Sequence, residues 1–269
     1  MNRMSVRSYL FVPGNRPGRF DKACESAAER IILDLEDSVA PAQKQQARDE
    51  VAAWLRTHHP NNVLVRVNAV GTPWYDDDMH MLDGVPFVGV MLPKAEPASM
   101  AECLAACASR EAIALVETVR GVLDLRETAA LPGLQRIAFG SIDFAVDAGM
   151  EDGIAGSGLD TVRVQIALQS RLAGLEPPID GVCTNFDTPE AVAIEAHRAR
   201  QLGFRGKLCI HPRQAAAVNA AFRPGVAELE WARRVADGFA THGGEAFSLE
   251  GRMVDLPVVT RARRLLDEA

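Results

Sequence analysis

The 269 residues are 48% hydrophobic and 24% charged, the composition of a soluble globular chain long enough for one large α/β barrel or two small domains. The formal charge of −7 counts against a general nucleic-acid or anionic-membrane surface, while leaving room for a local basic pocket. The five cysteines are scattered and lack a zinc-type spacing, which fits a reduced cytoplasmic protein with buried thiols.

Taken from the N-terminus, the chain shows short apolar runs, each stopped by polar, Gly or Pro residues. The first, Tyr9–Val12, ends at Pro13 and Gly14, too short for a signal peptide or a membrane span. It is followed by Ile31–Leu35, Val63–Val67, Val88–Leu92, Ile113–Val116, Ile137–Phe139, Ile179–Cys183 and Lys207–Ile210, eight runs in all. Between them lie segments of helical spacing, among them Lys44–Arg56, Ala98–Ser109, Thr161–Ala173 and Pro189–Leu202. Continuous apolar strands alternating with helices predict a parallel sheet buried on both faces. Eight such units in roughly 210 residues fit a closed (β/α)₈ TIM barrel better than an open doubly wound sheet. The first strand is followed by no dinucleotide-type glycine fingerprint, which also counts against the open sheet. The expected division is a barrel domain over residues 1–223 and a C-terminal helical extension over 224–269, acting as a lid or as a plug. Within that extension Glu228–Phe239 and Pro257–Leu266 read as helices, and Leu249–Val254 as a turn-like stretch.

In such barrels the chemistry sits at the C-terminal ends of the strands. Those ends carry Asn15 and Arg16, Glu36 and Asp37, Arg66 and Asn68, Lys94, Glu117, Asp143, Asn185 and His211. Glu117 and Asp143, on consecutive strand ends, are the expected ligands of a magnesium ion, because two carboxylates completed by water and substrate oxygens suit a hard cation. Arg66 is a fixed fork suited to a carboxylate or an enolate oxygen; the competing reading is a structural ion pair with Asp34, Glu36 or Asp37. Glu36 and Asp37 are expected behind the ligands, orienting Arg66 and bound waters. Arg16, Arg19 and Lys22 surround the exit of the first strand, either as an anion cradle or as solvated cations. His211 reads equally as an acid/base group or as a structural hydrogen-bonding residue.

The motifs Arg7–Gly14, Leu33–Pro41 with Lys44, Arg66–Asn68, Leu92–Lys94, Glu117–Thr118, Phe139–Asp143, Gly206–Lys207, Ile210–Gln214 and Met253–Pro257 follow in an order that resembles the citrate lyase beta-subunit-like CoA-ester lyases of the HpcH/HpaI aldolase superfamily. The resemblance implies a magnesium-dependent lyase that cleaves a malyl-, citramalyl- or citryl-CoA-type thioester to acetyl-CoA and a 2-keto acid. It implies that Glu117 and Asp143 hold the metal and that Arg66 binds substrate. It further implies that Arg16 and Lys22 contact CoA, and that Asp255 is a catalytic acid on a lid shared within a homotrimer. The rival readings are a metal-dependent aldolase of free 2-keto acids and a beta subunit that acts only within a citrate lyase complex.

Overall fold

Each of the eight apolar runs forms a strand, and together they close a parallel barrel. The computed structural model describes residues 6–107, 110–151, 158–185 and 188–268. The strands are β1 (Ser8–Pro13), β2 (Arg30–Asp34), β3 (Val63–Arg66), β4 (Gly89–Leu92), β5 (Ala112–Val116), β6 (Arg136–Phe139), β7 (Ile179–Asp180) and β8 (Gly206–Cys209). They pair in sequence order, and β1 closes on β8. The continuous apolar pattern has a direct cause: inward side chains fill the barrel while outward ones meet the helical layer, so neither face sees water. The inward set includes Tyr9, Ile32, Leu64, Met91, Ile113 and Leu208, all buried. Arg136, which opens β6, closes the N-terminal end of this interior. Its buried guanidinium donates to the Tyr9 hydroxyl and the Val6 carbonyl, each at 2.8 Å, and to the Pro177 carbonyl.

Several expected bounds moved by one or more residues, two of them as follows. The run Ile179–Cys183 keeps only Ile179 and Asp180 as strand, because its neighbour β6 stops pairing where Gly140 turns into a helix. The expected Ala98–Ser109 helix is Pro97–Cys107, and Ala108 and Ser109 lie outside the described residues.

The chain divides into two compact units, the first ending at Ala220 and the second running from Ala221. In the second, the Val226–Thr241 and Leu256–Asp267 helices pack on a common core of Ala232, Val235, Val259, Ala262 and Leu265. The stretch expected to be turn-like is a hairpin of β9 (Phe247–Leu249) and β10 (Arg252–Val254). Leu249 pairs with Arg252 across the two-residue loop Glu250-Gly251, and both loop residues have positive φ, 53° and 76°. That is the turn whose twist matches a hairpin. None of the helices among the described residues is long and apolar enough to cross a membrane.

Candidate active site

Arg66 and Asp34 are register partners on β3 and β2, so their side chains leave the sheet on the same, inward face. There they form a two-pronged pair: Arg66 Nε donates to Asp34 Oδ1 and Nη2 to Oδ2, both at 2.7 Å. Arg66 Nη1 lies 3.0 Å from Glu36 Oε2, and the guanidinium sits over the Phe11 ring at 4.7 Å. Burial pushes the Asp34 carboxyl up, but the Arg66 charge and hydrogen bonds outweigh it and hold the group below the usual range. For Glu36 burial wins, and its pKa is raised in spite of Arg66 and Lys94. The sequence reading gave Asp34 only as a competing partner, yet it is the principal one. The parity of the two strands is the signal that identifies it.

Glu117 follows β5 and is 2% exposed. Its Oε1 accepts the Lys94 N–H at 2.8 Å; its Oε2 is buried with no hydrogen-bond partner. Burial and the nearby Glu36 charge push its pKa up to about 8, the Lys94 N–H and Arg66 opposing and Asp143 adding to the rise. Gly140, immediately after β6, makes this placement possible: a Cβ there would fall 2.5 Å from both Glu117 Cβ and Oε2. Lys94 holds a left-handed backbone, φ 48°, which aims its N–H at Glu117, while its ammonium pairs with Glu36 Oε1. Neither Gly140 nor this role of Lys94 was anticipated from sequence.

Asp143 differs from the strand-end position expected of it. It sits in the first turn of the Ser141–Ala148 helix, exposed, because Gly140 ends the extended backbone three residues earlier. Even so, Asp143, Glu117, Asp37 and Arg66 line one cavity of about 330 Å³, together with Asp34, Ser141 and an apolar wall. Three buried polar atoms here lack hydrogen-bond partners: Glu117 Oε2, Ser141 Oγ and Glu36 Oε2, the last near Arg66 but out of hydrogen-bond alignment. Native interiors rarely leave such atoms unmatched, so a ligand is the expected partner. The donors are all oxygens. Among the described residues no group of three His, Cys, Asp or Glu side chains is placed to hold a metal ion by itself, so the protein would supply two carboxylates and leave the remaining positions to water or substrate. The residues fit a hard divalent cation held by Glu117 and Asp143.

Behind the rim, the buried Lys44 ammonium donates to the Leu35 and Glu36 carbonyls, each at 2.7 Å, and to Asn68 Oδ1 at 2.6 Å. The segment carrying Glu36 is thereby tied to β3. Arg16, Arg19 and Lys22 are exposed and do not line the cavity; the helix that carries Lys22, Phe20–Cys24, is only five residues long. The His211 ring accepts the Arg213 N–H through Nδ1 at 3.2 Å, a local structural bond. Asp255, in the second unit, caps the Leu256–Asp267 helix by accepting the Val258 N–H at 3.4 Å.

The family model described as HpcH/HpaI aldolase/citrate lyase matches residues 7–212. The chain belongs to this family. Within the HpcH/HpaI family it is 38% identical to a citrate lyase subunit beta-like protein of Mycobacterium tuberculosis, with 99% of this chain and 97% of the relative covered. It is 33% identical to a (3S)-malyl-CoA thioesterase of Cereibacter sphaeroides, covering 98% and 94%. Among solved structures, the CitE protein of Mycobacterium tuberculosis in complex with magnesium, acetoacetate and coenzyme A superposes with a TM-score of 0.87, at 37% identity and 99% coverage of both chains.

Proposed function

We propose that this chain is a magnesium-dependent carbon–carbon lyase acting on a 3-hydroxyacyl-CoA whose hydroxyl carbon also carries a carboxylate. The observation that carries the reading is the partnerless Glu117 Oε2, buried in a cavity shared with Asp143 and Arg66. The HpcH/HpaI membership and the magnesium and coenzyme A complex of the CitE relative support it.

Glu117 and Asp143 would hold the magnesium, which would supply Lewis acidity to the substrate's oxygens. In the cleavage the hydroxyl gives its proton to water at the cavity mouth, and the electron pair of the broken O–H bond forms the second bond of the new carbonyl. The bond between the hydroxyl carbon and the thioester α-carbon breaks, and its electrons pass to the thioester as an enolate. Protonation of that α-carbon completes a 2-keto acid and acetyl-CoA. Arg66, held in place by Asp34 and Glu36, faces the negative charge that grows on the thioester oxygen. Asp255, on the C-terminal lid, gives the proton to the α-carbon. Arg16 and Lys22, exposed beside the exit of β1, contact the CoA phosphates. The working assembly is a homotrimer in which the lid is shared between subunits.

The test is to incubate the purified chain and magnesium with malyl-, citramalyl- and citryl-CoA, following keto acid and acetyl-CoA together. Glu117→Ala and Asp143→Ala should each lower turnover by about a thousandfold or more while the melting transition survives. Asp255→Asn should lose proton exchange at the acetyl-CoA methyl group yet still bind keto acid. Free CoA appearing without keto acid would reassign the site to thioester hydrolysis, and full activity of Glu117→Ala after chelator treatment would refute the metal assignment.

A further inference from the structure

We propose that Cys103 and Cys107, with the Tyr75 hydroxyl beside them, form a second metal site, one that takes a single thiophilic divalent ion of the zinc or cadmium kind. None of the three residues lines the cavity of Glu117 and Asp143, and the site stands independently of the lyase reading.

Both cysteines lie on the Pro97–Cys107 helix, which packs on β4 and β5, and both are buried. Four residues apart, they share one face of that helix, and their sulfurs stand 3.7 Å apart. That span suits an ion better than a disulfide. Side chains four apart on a helix hold their Cβ atoms about 5–6 Å apart, whereas a disulfide needs about 3.5–4.5 Å, so closing one would break the last turn. Two sulfurs bound about 2.3 Å from a tetrahedral zinc lie about 3.8 Å apart, close to the separation already present. The hydrogen bond from Cys103, aided by the Arg110 charge, outweighs burial and lowers the Cys107 pKa, which favours the thiolate that metals bind. A second observation points the same way. Tyr75, which opens the Tyr75–Leu82 helix, is 4% exposed, and its hydroxyl lies against Cys103 and close to Cys107 without an aligned hydrogen-bond partner. A buried polar atom left in this state expects a ligand. Two thiolates and a phenol oxygen supply three corners of a tetrahedron, and the two thiolate charges match a divalent ion. Magnesium, which asks for oxygen ligands in an octahedron, does not suit this set. On binding, each thiol gives its proton to water and two metal–sulfur bonds form, with no change of oxidation state. Cys107 is the last residue of its helix, where opening costs least, and that end is the way in.

The experiment titrates cadmium into the reduced chain with magnesium present, following the ultraviolet thiolate-to-metal absorption and the release of protons in weak buffer. The expected results are a single sulfur-bound cadmium per chain, about two protons released with it, and a melting temperature that rises with cadmium concentration. Cys103→Ala and Cys107→Ala should each weaken binding by at least about a hundredfold, and Tyr75→Phe by about tenfold with the absorption kept. Cys24→Ala, at a half-buried thiol elsewhere, should change nothing. Where an alanine variant does not melt cooperatively, Cys103→Ser and Cys107→Ser serve in its place, with the same loss expected. Absence of thiolate absorption at saturating cadmium overturns the inference, as does absorption that survives substitution of both cysteines or vanishes with Cys24→Ala. Oxidation of the pair to a disulfide with the helix content unchanged would overturn its geometric basis.

Discussion

Two groups of buried charges in the barrel unit make an instructive pair. Between β7, β8 and the helices outside them, the Asp180 carboxylate accepts Arg163 Nε at 2.8 Å on one oxygen and Lys207 Nζ at 2.7 Å on the other. Burial pushes Asp180 up, but Lys207 and Arg163 outweigh it and hold the carboxyl below its ordinary range. Inside the barrel mouth, Glu117 has one oxygen matched and one unmatched, and its pKa is raised to about 8. Both acids are buried, and only one is complete. Burial of charge therefore does not mark a functional site. A carboxylate left partly unmatched inside a cavity does.

The contrast predicts opposite responses to mutation. Asp180→Ala removes the carboxylate shared by two buried cations, leaving Lys207 with Glu195 and Arg163 with Asp160, and should destabilise the chain by about 3–5 kcal/mol, read by urea unfolding. A loss below about 1 kcal/mol would mean that the Asp180 group is not a structural pair. Glu117→Gln should act in the other direction. Between its ordinary 4.5 and about 8, the folded chain holds a proton on Glu117 that the unfolded chain has released, so the native contribution falls as pH rises through that window. Without magnesium, the variant should gain on the wild type by up to about 1.4 kcal/mol per pH unit there, and magnesium should narrow the gap. For Asp180 the sign reverses: its stabilisation is present above 3.8 and is lost as pH falls below it. A wild-type-to-variant difference that is flat from pH 5 to 8 would contradict the Glu117 environment described here. The smallest effect is expected of Gly140→Ala, whose new methyl meets Glu117 at 2.5 Å. It should cost about 1–3 kcal/mol and weaken magnesium binding, measured by titration calorimetry.

Much of this was legible beforehand because barrel strands impose parity. Inward positions at strand ends must face the mouth, so Arg66 and Glu117 could be placed from their runs alone. The same parity pointed to Asp34, where an acid beside other acids concealed which one answers Arg66. Asp143 was placed one element too early: Gly140 sits at the junction, and a helix start two residues before the acid leaves no trace in an apolar run. The β9–β10 hairpin escaped because Glu250 holds a positive φ normally left to Asn, Asp or Gly. The Lys44 ammonium, whose three partners come from two segments (Leu35 and Glu36, and Asn68), follows from no local pattern at all.

That ammonium has a bearing on how the mouth behaves over time. With the Lys44 hydrogens committed to Leu35, Glu36 and Asn68, the Glu36 loop cannot swing outward without breaking two bonds to the Lys44–His58 helix, which Asn68 also anchors. The acids and the guanidinium therefore take their places as the polypeptide folds, and an arriving ligand meets a rigid mould with little ordering left to perform.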